Sequence, residues 1–332
     1  MTKKIYSIGI DVSKKTLDIC FLDEKKNKID VFKVSNDSSG IQNLFERVSR
    51  YTLATTSSFV MEATGSYHVL LALSLLDKNY SVKVFNPIIS NKYAATYVRK
   101  CKTDKIDAFR IAEIGLLEDL PKLKLSRKFF FLRRKISILQ KLQLQRQVLF
   151  ASFSQFEEDS LVLNTSISPA LKSTQKILQQ IVKSIKLLEN EILEEGKCFF
   201  EFETISKIKG ISPKATSIIL SYISDKNFIS KHALTAFAGL DVSTKLSGSS
   251  IRGKGKISKR GNSILRKTMT QAAWGVIMHN PPFSDLYSYY KSKGKHYHAI
   301  LVIIARKLLH IFYGMMKSGS HFDPAKIAIP SH

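Results

Sequence analysis

Two aspartates three positions apart, Asp104 and Asp107, are the residues whose type and spacing point most directly to chemistry. Side chains at positions i and i+3 share one face of a helix, and the apolar residues that follow predict that a helix begins here. Paired carboxylates can hold Mg²⁺, a hard cation that prefers oxygen ligands and in turn binds phosphate. The alternative is a solvated first turn, where acids are favoured by the positive end of the helix dipole. On this segment alone, the alternative is preferred.

Basic side chains surround this pair of acids, at Arg99, Lys100, Lys102, Lys105 and Arg110. The two carboxylates therefore lie where a polyanion is attracted, and a carboxylate that faces a phosphate chain needs a cation between them. We predict that Lys102 and Lys105 contact nucleic acid.

The whole chain is strongly basic, with 52 Lys and Arg against 27 Asp and Glu in 332 residues, a formal net charge of +25. Such a charge indicates a polyanionic partner. Residues 201–332 carry 20 basic and 6 acidic side chains, a net charge of +14, so this part is expected to be the main electrostatic footprint. A membrane surface is the competing partner, but Arg306 and Lys307 interrupt the best apolar run, 298–313.

The N-terminal residues pass directly into a strand pattern and do not resemble a signal peptide. Cys20, Cys101 and Cys198 are few, odd in number and far apart, which argues against a disulfide framework and against a cysteine zinc site. We therefore expect a cytoplasmic protein with no membrane partner.

Two further acids, Asp11 and Glu62, lie at the ends of predicted strands. Residues 1–126 form the predicted N-terminal domain, with strands at 5–12, 16–22, 29–34, 58–62 and 82–85 and helices at 41–48 and 67–76. This order predicts an α/β domain with a mixed sheet, and ligand sites in such sheets gather at the carboxyl ends of strands. Asp11, Glu62, Asp104 and Asp107 together fit an RNase H-like nuclease fold, in which such acids hold two metal ions.

The rest of the chain is predicted to be mainly helical. Residues 127–200 contain two long amphipathic helices joined by a short polar link. This helical hairpin, or coiled-coil linker, is either a dimerisation arm or an ordinary helical subdomain. Residues 201–317 form a helical C-terminal domain with a glycine turn at 208–213, typical of helix-hairpin-helix modules that bind DNA phosphates. Residues 318–332 are expected to be a loose tail.

A glycine-rich basic segment lies within the C-terminal domain, after Gly239. Its glycines let the backbone approach phosphate closely, and its cations neutralise that phosphate. A disordered nucleic-acid-binding tail has the same composition, but a helical pattern follows directly, which favours an ordered segment. The predicted nucleic-acid contacts here are Arg252, Lys254, Lys256, Lys259, Arg260 and Arg266.

Four N-terminal blocks resemble the DEDD transposases of bacterial insertion sequences, the insertion-sequence-110 family. The blocks are 9–14 (GIDVSK), 61–67 (MEATGSY), 86–87 (NP) and 102–108 (KTDKIDA). The resemblance extends from residue 5 to about residue 317, and order, identity and spacing agree. It implies a catalytic domain similar to the Holliday-junction resolvase RuvC, with Asp11, Glu62, Asp104 and Asp107 as ligands of two Mg²⁺ ions.

The family resemblance also implies a serine nucleophile in the C-terminal domain, next to a glycine. The matching position is Ser247, although Leu246 stands where a polar residue is common, and Ser249 and Ser250 leave the register arguable. Attack by this serine would give a phosphoserine ester, which conserves the energy of the broken bond. The resemblance further implies DNA as substrate, a structured guide (bridge) RNA and a homo-oligomer, either a dimer or a tetramer.

Two other classes of function fit the same residues. A hydrolytic RuvC-like junction nuclease would use water and would not need Ser247. A non-enzymatic nucleic-acid scaffold would tolerate replacement of all four acids. A sugar-kinase-like ATPase also begins with a strand ending in Gly-x-Asp, but residues 13–15 (SKK) stand where phosphate-binding glycines are expected.

Overall fold

The computed structural model describes residues 4–63, 67–94, 104–165, 168–243 and 256–327. The chain forms two compact units, Met1–Arg127 and Lys128–His332. Each unit has a hydrophobic core of its own, and each is described separately below.

Unit 1 is built on a five-stranded mixed sheet with strand order β3-β2-β1-β4-β5. The β1–β2 and β2–β3 pairs are antiparallel, whereas β1–β4 and β4–β5 are parallel. The mixed sheet predicted from the sequence is therefore present. Its elements are β1 (Lys4–Val12), β2 (Thr16–Leu22), β3 (Lys28–Ser35), α1 (Ser38–Val48), β4 (Thr52–Glu62), α2 (Val69–Asp77), β5 (Val82–Phe85), α3 (Pro87–Ala94) and α4 (Asp104–Leu117).

Helices cover both faces of this sheet, because side chains alternate between the faces along each strand. On one face, Ile8, Ile10 and Ile19 pack against α1 and α2. On the other face, Cys20 and Leu22 pack against Ala108 and Ala112 of α4. The apolar stripe that predicted a helix after Asp104 is thus the stripe that buries the second face of the sheet.

Two elements of unit 1 differ from the sequence prediction. Strand β4 begins at Thr52, six residues before the predicted strand, because its polar first half pairs with the start of β1 through Lys4 and Thr52. A bulge between Ile5 and Ser7 separates this pairing from the buried half. Helix α3 follows β5 directly at Pro87, a residue type that is favoured in the first turn of a helix.

The described residues of unit 2 are helical apart from a two-stranded ladder and the connecting turns. Its elements are α5 (Arg127–Val162), α6 (Pro169–Lys197), α7 (Phe202–Ser206), α8 (Pro213–Ile223), α9 (Lys231–Ala238), β6 (Val242–Ser243), β7 (Lys256–Ile257), α10 (Ser263–His279), α11 (Pro281–Ser292), α12 (Tyr297–Ser318) and a 3₁₀ turn (Pro324–Lys326). Helices α5 and α6 are the two long predicted helices. Leu132 and Ile136 of α5 and Ile192 of α6 belong to the same core cluster as the helices that follow. The division at residue 200 stays a prediction.

The predicted helix-hairpin-helix turn contains a close contact between two backbones. Gly210 has a φ of 96°, which favours glycine, and a Cβ at this position would lie 2.3 Å from the Gly275 carbonyl oxygen. The turn therefore packs directly on α10. Ser212 then caps α8 by accepting a hydrogen bond from the Ala215 backbone nitrogen at 3.2 Å.

Part of the predicted C-terminal tail is packed. Phe322 stacks on Phe283, with ring centroids 6.2 Å apart, and Ile327 is buried in the core of unit 2. Phe322 and Ile327 are scattered apolar residues in a mostly polar segment, so no periodic pattern signalled this packing.

Helix α12 is long and apolar enough to cross a membrane by length and composition. It contains the apolar run 298–313, which Arg306 and Lys307 interrupt. However, Ile300, Ile304, Leu308 and Phe312 are fully buried against other helices of unit 2. The apolar character of α12 is thus accounted for by its place in the core.

Candidate active site

Asp11 and Glu62 lie at the carboxyl ends of two neighbouring parallel strands, β1 and β4. The register pairs Gly9 with Val60 and Ile10 with Met61, so continuation by one residue brings Asp11 beside Glu62. Both side chains are half-buried. The sheet thus brings together two acids that are 51 positions apart in the sequence.

These two acids face the side of the sheet that α4 covers. Side chains two residues apart in a strand share a face, so Asp11 lies on the same face as Ser7 and Gly9. The Ser7 hydroxyl donates a hydrogen bond to the Ala112 carbonyl oxygen in α4 at 2.8 Å. Val60, two residues before Glu62, packs against Ile111 and Ile114 of the same helix.

Helix α4 crosses β1 in very close contact, and this contact sets its direction. A Cβ on Gly9 would lie 2.2 Å from the Ala108 carbonyl oxygen and 2.2 Å from the Ala112 backbone nitrogen. Further along the helix, a Cβ on Gly115 would lie 2.8 Å from the Ser7 hydroxyl oxygen. Later residues of α4 therefore lie beside earlier residues of β1, so the helix and the strand run in opposite directions. The N-terminus of α4 thus lies toward Asp11.

Asp107 lies in the first turn of α4, directly before the Ala108 that contacts Gly9. Its carboxylate is 3.5 Å from the Arg110 guanidinium, and its side chain is 36% exposed. Asp104 is the first residue of α4, but its side chain and that of Lys105 lie outside the part of the structure that is described. The backbone thus brings the start of α4, with both aspartates, to the strand ends that carry Asp11 and Glu62.

Ser90 is a contact of this site that sequence reasoning missed. It lies in α3, and its hydroxyl donates a hydrogen bond to Oε2 of Glu62. The pair Asn86-Pro87, where α3 begins, signals a turn after β5. Nothing in the sequence indicates which side chain of α3 reaches Glu62. A carboxylate that accepts a hydrogen bond is held in a defined orientation.

Asp18 is a second residue that sequence reasoning missed. It pairs with Asp11 in the antiparallel register of β1 and β2. Its side chain is only 10% exposed and lies 2.9 Å from the Lys33 ammonium group, on the adjacent strand. The signal in the sequence is an acid at an otherwise apolar position of β2, since Cys20 and Leu22, on the same face, are buried.

The carboxylates at this edge have the right chemistry for a hard cation. Asp11, Glu62 and Asp107 offer oxygen ligands, which suit Mg²⁺. Among the side chains that the structure describes, no group of three or more His, Cys, Asp or Glu lies close enough to hold a metal ion, and Asp104 is outside that set. The donor types suit a divalent metal ion, and the three described acids do not by themselves form a group that could hold one.

Cys20 of β2 pairs with Gly9 of β1 and lies on the face of the sheet that α4 covers. Its thiol does not take part in metal binding. Burial raises the pKa of its thiol to about 11. The thiol therefore stays protonated near neutral pH, and a protonated thiol is a poor nucleophile and a poor metal ligand.

The predicted nucleic-acid contacts of unit 2 lie between β6 and the first turn of α10 in the sequence. The β6–β7 ladder pairs Ser243 with Lys256 and so joins the two ends of residues 244–255. Ser247, Arg252 and Lys254 belong to that segment and lie outside the described residues, as does Lys102 in unit 1. Lys256, Lys259 and Arg260, which we call the basic loop, have exposed side chains.

Arg266 holds the basic loop from beneath. Its Nη1 donates to the carbonyl oxygens of Ala238 (3.2 Å), Lys259 (3.4 Å) and Gly261 (3.4 Å). The Ser258 hydroxyl donates to Asp241 Oδ1 at 2.5 Å. The guanidinium of Arg266 thus supports the backbone that carries the basic loop. A direct contact between Arg266 and nucleic acid stays a prediction.

Comparison with known proteins identifies the family. A family model for the DEDD transposases of IS110 matches residues 8–156, which include all four acids. A second model, described as "Transposase IS116/IS110/IS902 family", matches residues 202–288, which include Ser247 and the basic loop. Between them the two models span both units of the chain.

Individual relatives agree with the family models. The pilin gene-inverting proteins of Moraxella bovis and Moraxella lacunata are each 28% identical over 95% of this chain and 97% of their own length. An uncharacterized 43.6 kDa protein of insertion element IS110 from Streptomyces coelicolor is 22% identical over 47% of this chain and 38% of its own. Since the acids at the sheet edge lie within the DEDD match and the basic loop lies within the second, this chain belongs to the IS110 family of transposases.

Proposed function

We propose that this protein is a DNA recombinase that cuts and rejoins strands through Ser247, with two Mg²⁺ ions held by Asp11, Glu62, Asp104 and Asp107. The observation that carries the proposal is the convergence of elements at one sheet edge. Asp11 and Glu62 end neighbouring strands, and the Gly9 contact directs the start of α4 toward them. Membership of the IS110 family supports DNA recombination as the reaction.

The chemistry assigned to each residue follows from its type. When bound, Mg²⁺ would polarise the scissile phosphate and stabilise the leaving oxygen. The Ser247 oxygen forms a bond to phosphorus as the bond from phosphorus to the 3′ oxygen breaks, and the serine proton is given up while the leaving oxygen gains one. The products are a phosphoserine ester and a free 3′-hydroxyl, so a 3′-hydroxyl of another strand can reverse the step without ATP.

The sheet supports an RNase H-like, RuvC-like fold for unit 1. An antiparallel β1–β2–β3 meander followed by parallel β4 and β5 is the strand arrangement that this fold requires. Helix α4 across the sheet supplies the helix-borne acids. We propose a domain at 1–126, a helical hairpin linker at 127–200 and a serine-bearing domain at 201–317.

We infer that the partners are DNA, a structured guide RNA and further copies of this chain, in a cytoplasmic setting. The net charge of +25 supports a large nucleic-acid surface. The long hairpin supports self-association, because α5 and α6 expose Leu144, Phe150 and Ile177. The gene inversion named for the Moraxella relatives supports rearrangement between defined sites.

The experiment that tests this proposal is the capture of a covalent protein–DNA adduct. The unaltered chain, its guide RNA and a nicked suicide substrate in Mg²⁺ should give an adduct that mass spectrometry maps to Ser247. Ser247→Ala should abolish the adduct and recombination while nucleic-acid binding persists, whereas Ser249→Ala and Ser250→Ala serve as matched controls that keep both.

The alternative functions predict other outcomes of this experiment. An adduct on Ser249 or Ser250 would retain the mechanism but move the nucleophile. Metal-dependent cleavage with no adduct would favour the hydrolytic junction nuclease. Binding without any cleavage would favour the non-enzymatic scaffold.

A further inference from the structure

A cleft between α9 and α12 concentrates basic side chains away from the basic loop. It has a volume of about 490 Å³ and is lined by Lys231, Ile303, Arg306, Lys307, His310 and Ile311. Three of these six described residues are Lys or Arg, and the other three are His310 and two isoleucines. We refer to this site as the basic cleft.

The side chains of the basic cleft are held in place by packing and hydrogen bonds. His310 Nε2 lies 3.1 Å from the Thr235 hydroxyl oxygen, and that hydroxyl donates to the Lys231 carbonyl oxygen at 2.9 Å. Because the hydroxyl proton is already used, His310 must donate from Nε2 to the Thr235 oxygen. The imidazole is thus fixed to α9.

Electrostatic repulsion accumulates in the basic cleft. The pKa of His310 is lowered first by burial and then by the charges of Lys231, His232 and Arg306. Burial also lowers the pKa of Lys307. Neither Lys231 nor Arg306 forms a salt bridge with an acid among the described residues. Cations that repel one another in a half-buried cleft are stabilised when an anion binds between them.

We propose that the basic cleft binds the phosphate backbone of a nucleic acid, as a contact separate from the basic loop. Both Lys and Arg recognise phosphate: Lys offers a compact positive charge, and Arg offers a planar fork of hydrogen-bond donors. The two isoleucines offer apolar surface for a sugar.

The position of the basic cleft relative to the basic loop supports a continuous strand as ligand. Lys231 is the first residue of α9, whereas Gly239, which follows the last, accepts a hydrogen bond from the Lys259 backbone nitrogen at 3.2 Å. Eight residues of helix span about 12 Å. Three to four nucleotides of one strand cover that distance, at about 3.4 Å each. A free phosphate or nucleotide would occupy the cleft alone.

The test is the salt dependence of binding by the full-length chain. The charge-removing double variant Lys231→Gln/Arg306→Gln is compared with Lys197→Gln/Lys207→Gln, which removes two lysines that already have acid partners, Glu194 and Glu203. Fluorescence anisotropy is measured on a duplex DNA, a single-stranded DNA and an RNA of the same sequence. Circular dichroism confirms that each variant is folded.

For the basic cleft variant, the slope of log K against log salt should flatten by about 1.8 on duplex and about 1.4 on single strands, relative to the unaltered chain. The control should keep the original slope, and Arg306→Lys, which retains the charge, should keep most of it. The nucleic acid whose slope flattens is the ligand of the cleft. Slopes equal to those of the control on all three probes would overturn the proposal.

If the double variant does not fold, the exposed Lys231→Gln alone should flatten the slope by about half as much. This inference rests on the nucleic-acid partner of the proposed function but not on its chemistry. The salt slope of binding tests the basic cleft, whereas adduct formation tests Ser247 as the nucleophile. Either proposal can therefore fail without the other.

Discussion

Gly9 of β1 and Ala112 of α4 approach each other so closely that a Cβ on Gly9 would lie 2.2 Å from the Ala112 backbone nitrogen. Real Cβ atoms do not come that near to backbone. The absence of a side chain at Gly9 is therefore what allows the start of α4 to reach the strand ends that carry Asp11 and Glu62.

Gly9→Ala should force α4 away from the sheet. We expect a loss of about 1 to 3 kcal/mol in the free energy of unfolding, because the clash is with backbone, which cannot rotate away as a side chain can. Strand cleavage should fall further than stability does, since Asp104 and Asp107 move with α4. Chemical denaturation and a cleavage assay at a temperature where the variant is folded measure the two effects.

Gly314→Ala is the matched control for this substitution. A Cβ at Gly314, within α12, would meet nothing within 4 Å. Alanine in a helix interior is favoured over glycine by about 1 kcal/mol, so this variant should be as stable as the unaltered chain or more so. Equal stability of the two variants would contradict the close contact between β1 and α4.

Asp107→Asn should remove one ligand of the proposed metal site. Cleavage should fall by more than about 100-fold, because the loss of a group that only orients a metal ligand already lowers metal affinity or activity by about 10- to 100-fold. Nucleic-acid binding should persist. Asp119→Asn, at an exposed position after α4, is the control for charge removal. Full cleavage by Asp107→Asn, or cleavage by the unaltered chain in the presence of a chelator, would exclude the site.

Asp18→Asn tests whether the acid opposite Asp11 positions the site. Its partner is Lys33 at 2.9 Å, on the face that α4 covers. We expect the Mg²⁺ concentration needed for half-maximal cleavage to rise by about 10- to 100-fold, because neighbours of metal ligands orient them. Asp30→Asn is the control, since Asp30 lies on the same hairpin but on the opposite face, 2.7 Å from Arg47.

Both of these variants should lose some stability, because each removes an acid from a half-buried ion pair. Only Asp18→Asn should change the metal requirement. A metal requirement that shifts equally in the two variants would mean that Asp18 has a purely structural role.

Removal of the basic loop charges should reduce the electrostatic part of DNA binding. The triple variant Lys256→Gln/Lys259→Gln/Arg260→Gln should flatten the slope of log K against log salt by about 2.7 on duplex DNA if each cation neutralises one phosphate. The control removes three lysines that have acid partners, Lys197, Lys207 and Lys326. An unchanged slope in the triple variant would place the basic loop away from the DNA.

Acid should destabilise this protein through two half-buried histidines, His68 and His310. Burial lowers the pKa of His68, and burial together with the nearby cations lowers the pKa of His310. The unfolded chain therefore binds these protons more tightly than the folded chain. Stability is full above the unfolded value of about 6.5 and is lost as pH falls below it.

His310→Gln should reduce this loss of stability on acidification, because glutamine does not take up a proton. Thermal unfolding followed between about pH 7.5 and pH 5.5 measures the effect, with His279→Gln, at an exposed position, as control. If the curves for the two variants are parallel, His310 does not contribute to the acid sensitivity.

The sequence by itself determined the elements and the identity of the candidate acids. Strands β1, β2 and β3 and helices α4, α5 and α6 follow from alternation and helical periodicity, because local side-chain spacing decides which face of an element is apolar. Asp11, Glu62, Asp104 and Asp107 could be named because they occur in recognisable blocks. The basic character of the C-terminal part could be counted directly.

Only the tertiary structure decided which side chains share a site. Asp18 faces Asp11 because of the register between two strands, and Ser90 reaches Glu62 because α3 returns over the sheet. The basic cleft joins Lys231 to His310 across 79 positions of sequence. Contacts of this kind depend on how distant segments pack, because the alternation within one strand fixes its apolar face but does not name the residue that will lie opposite on another element.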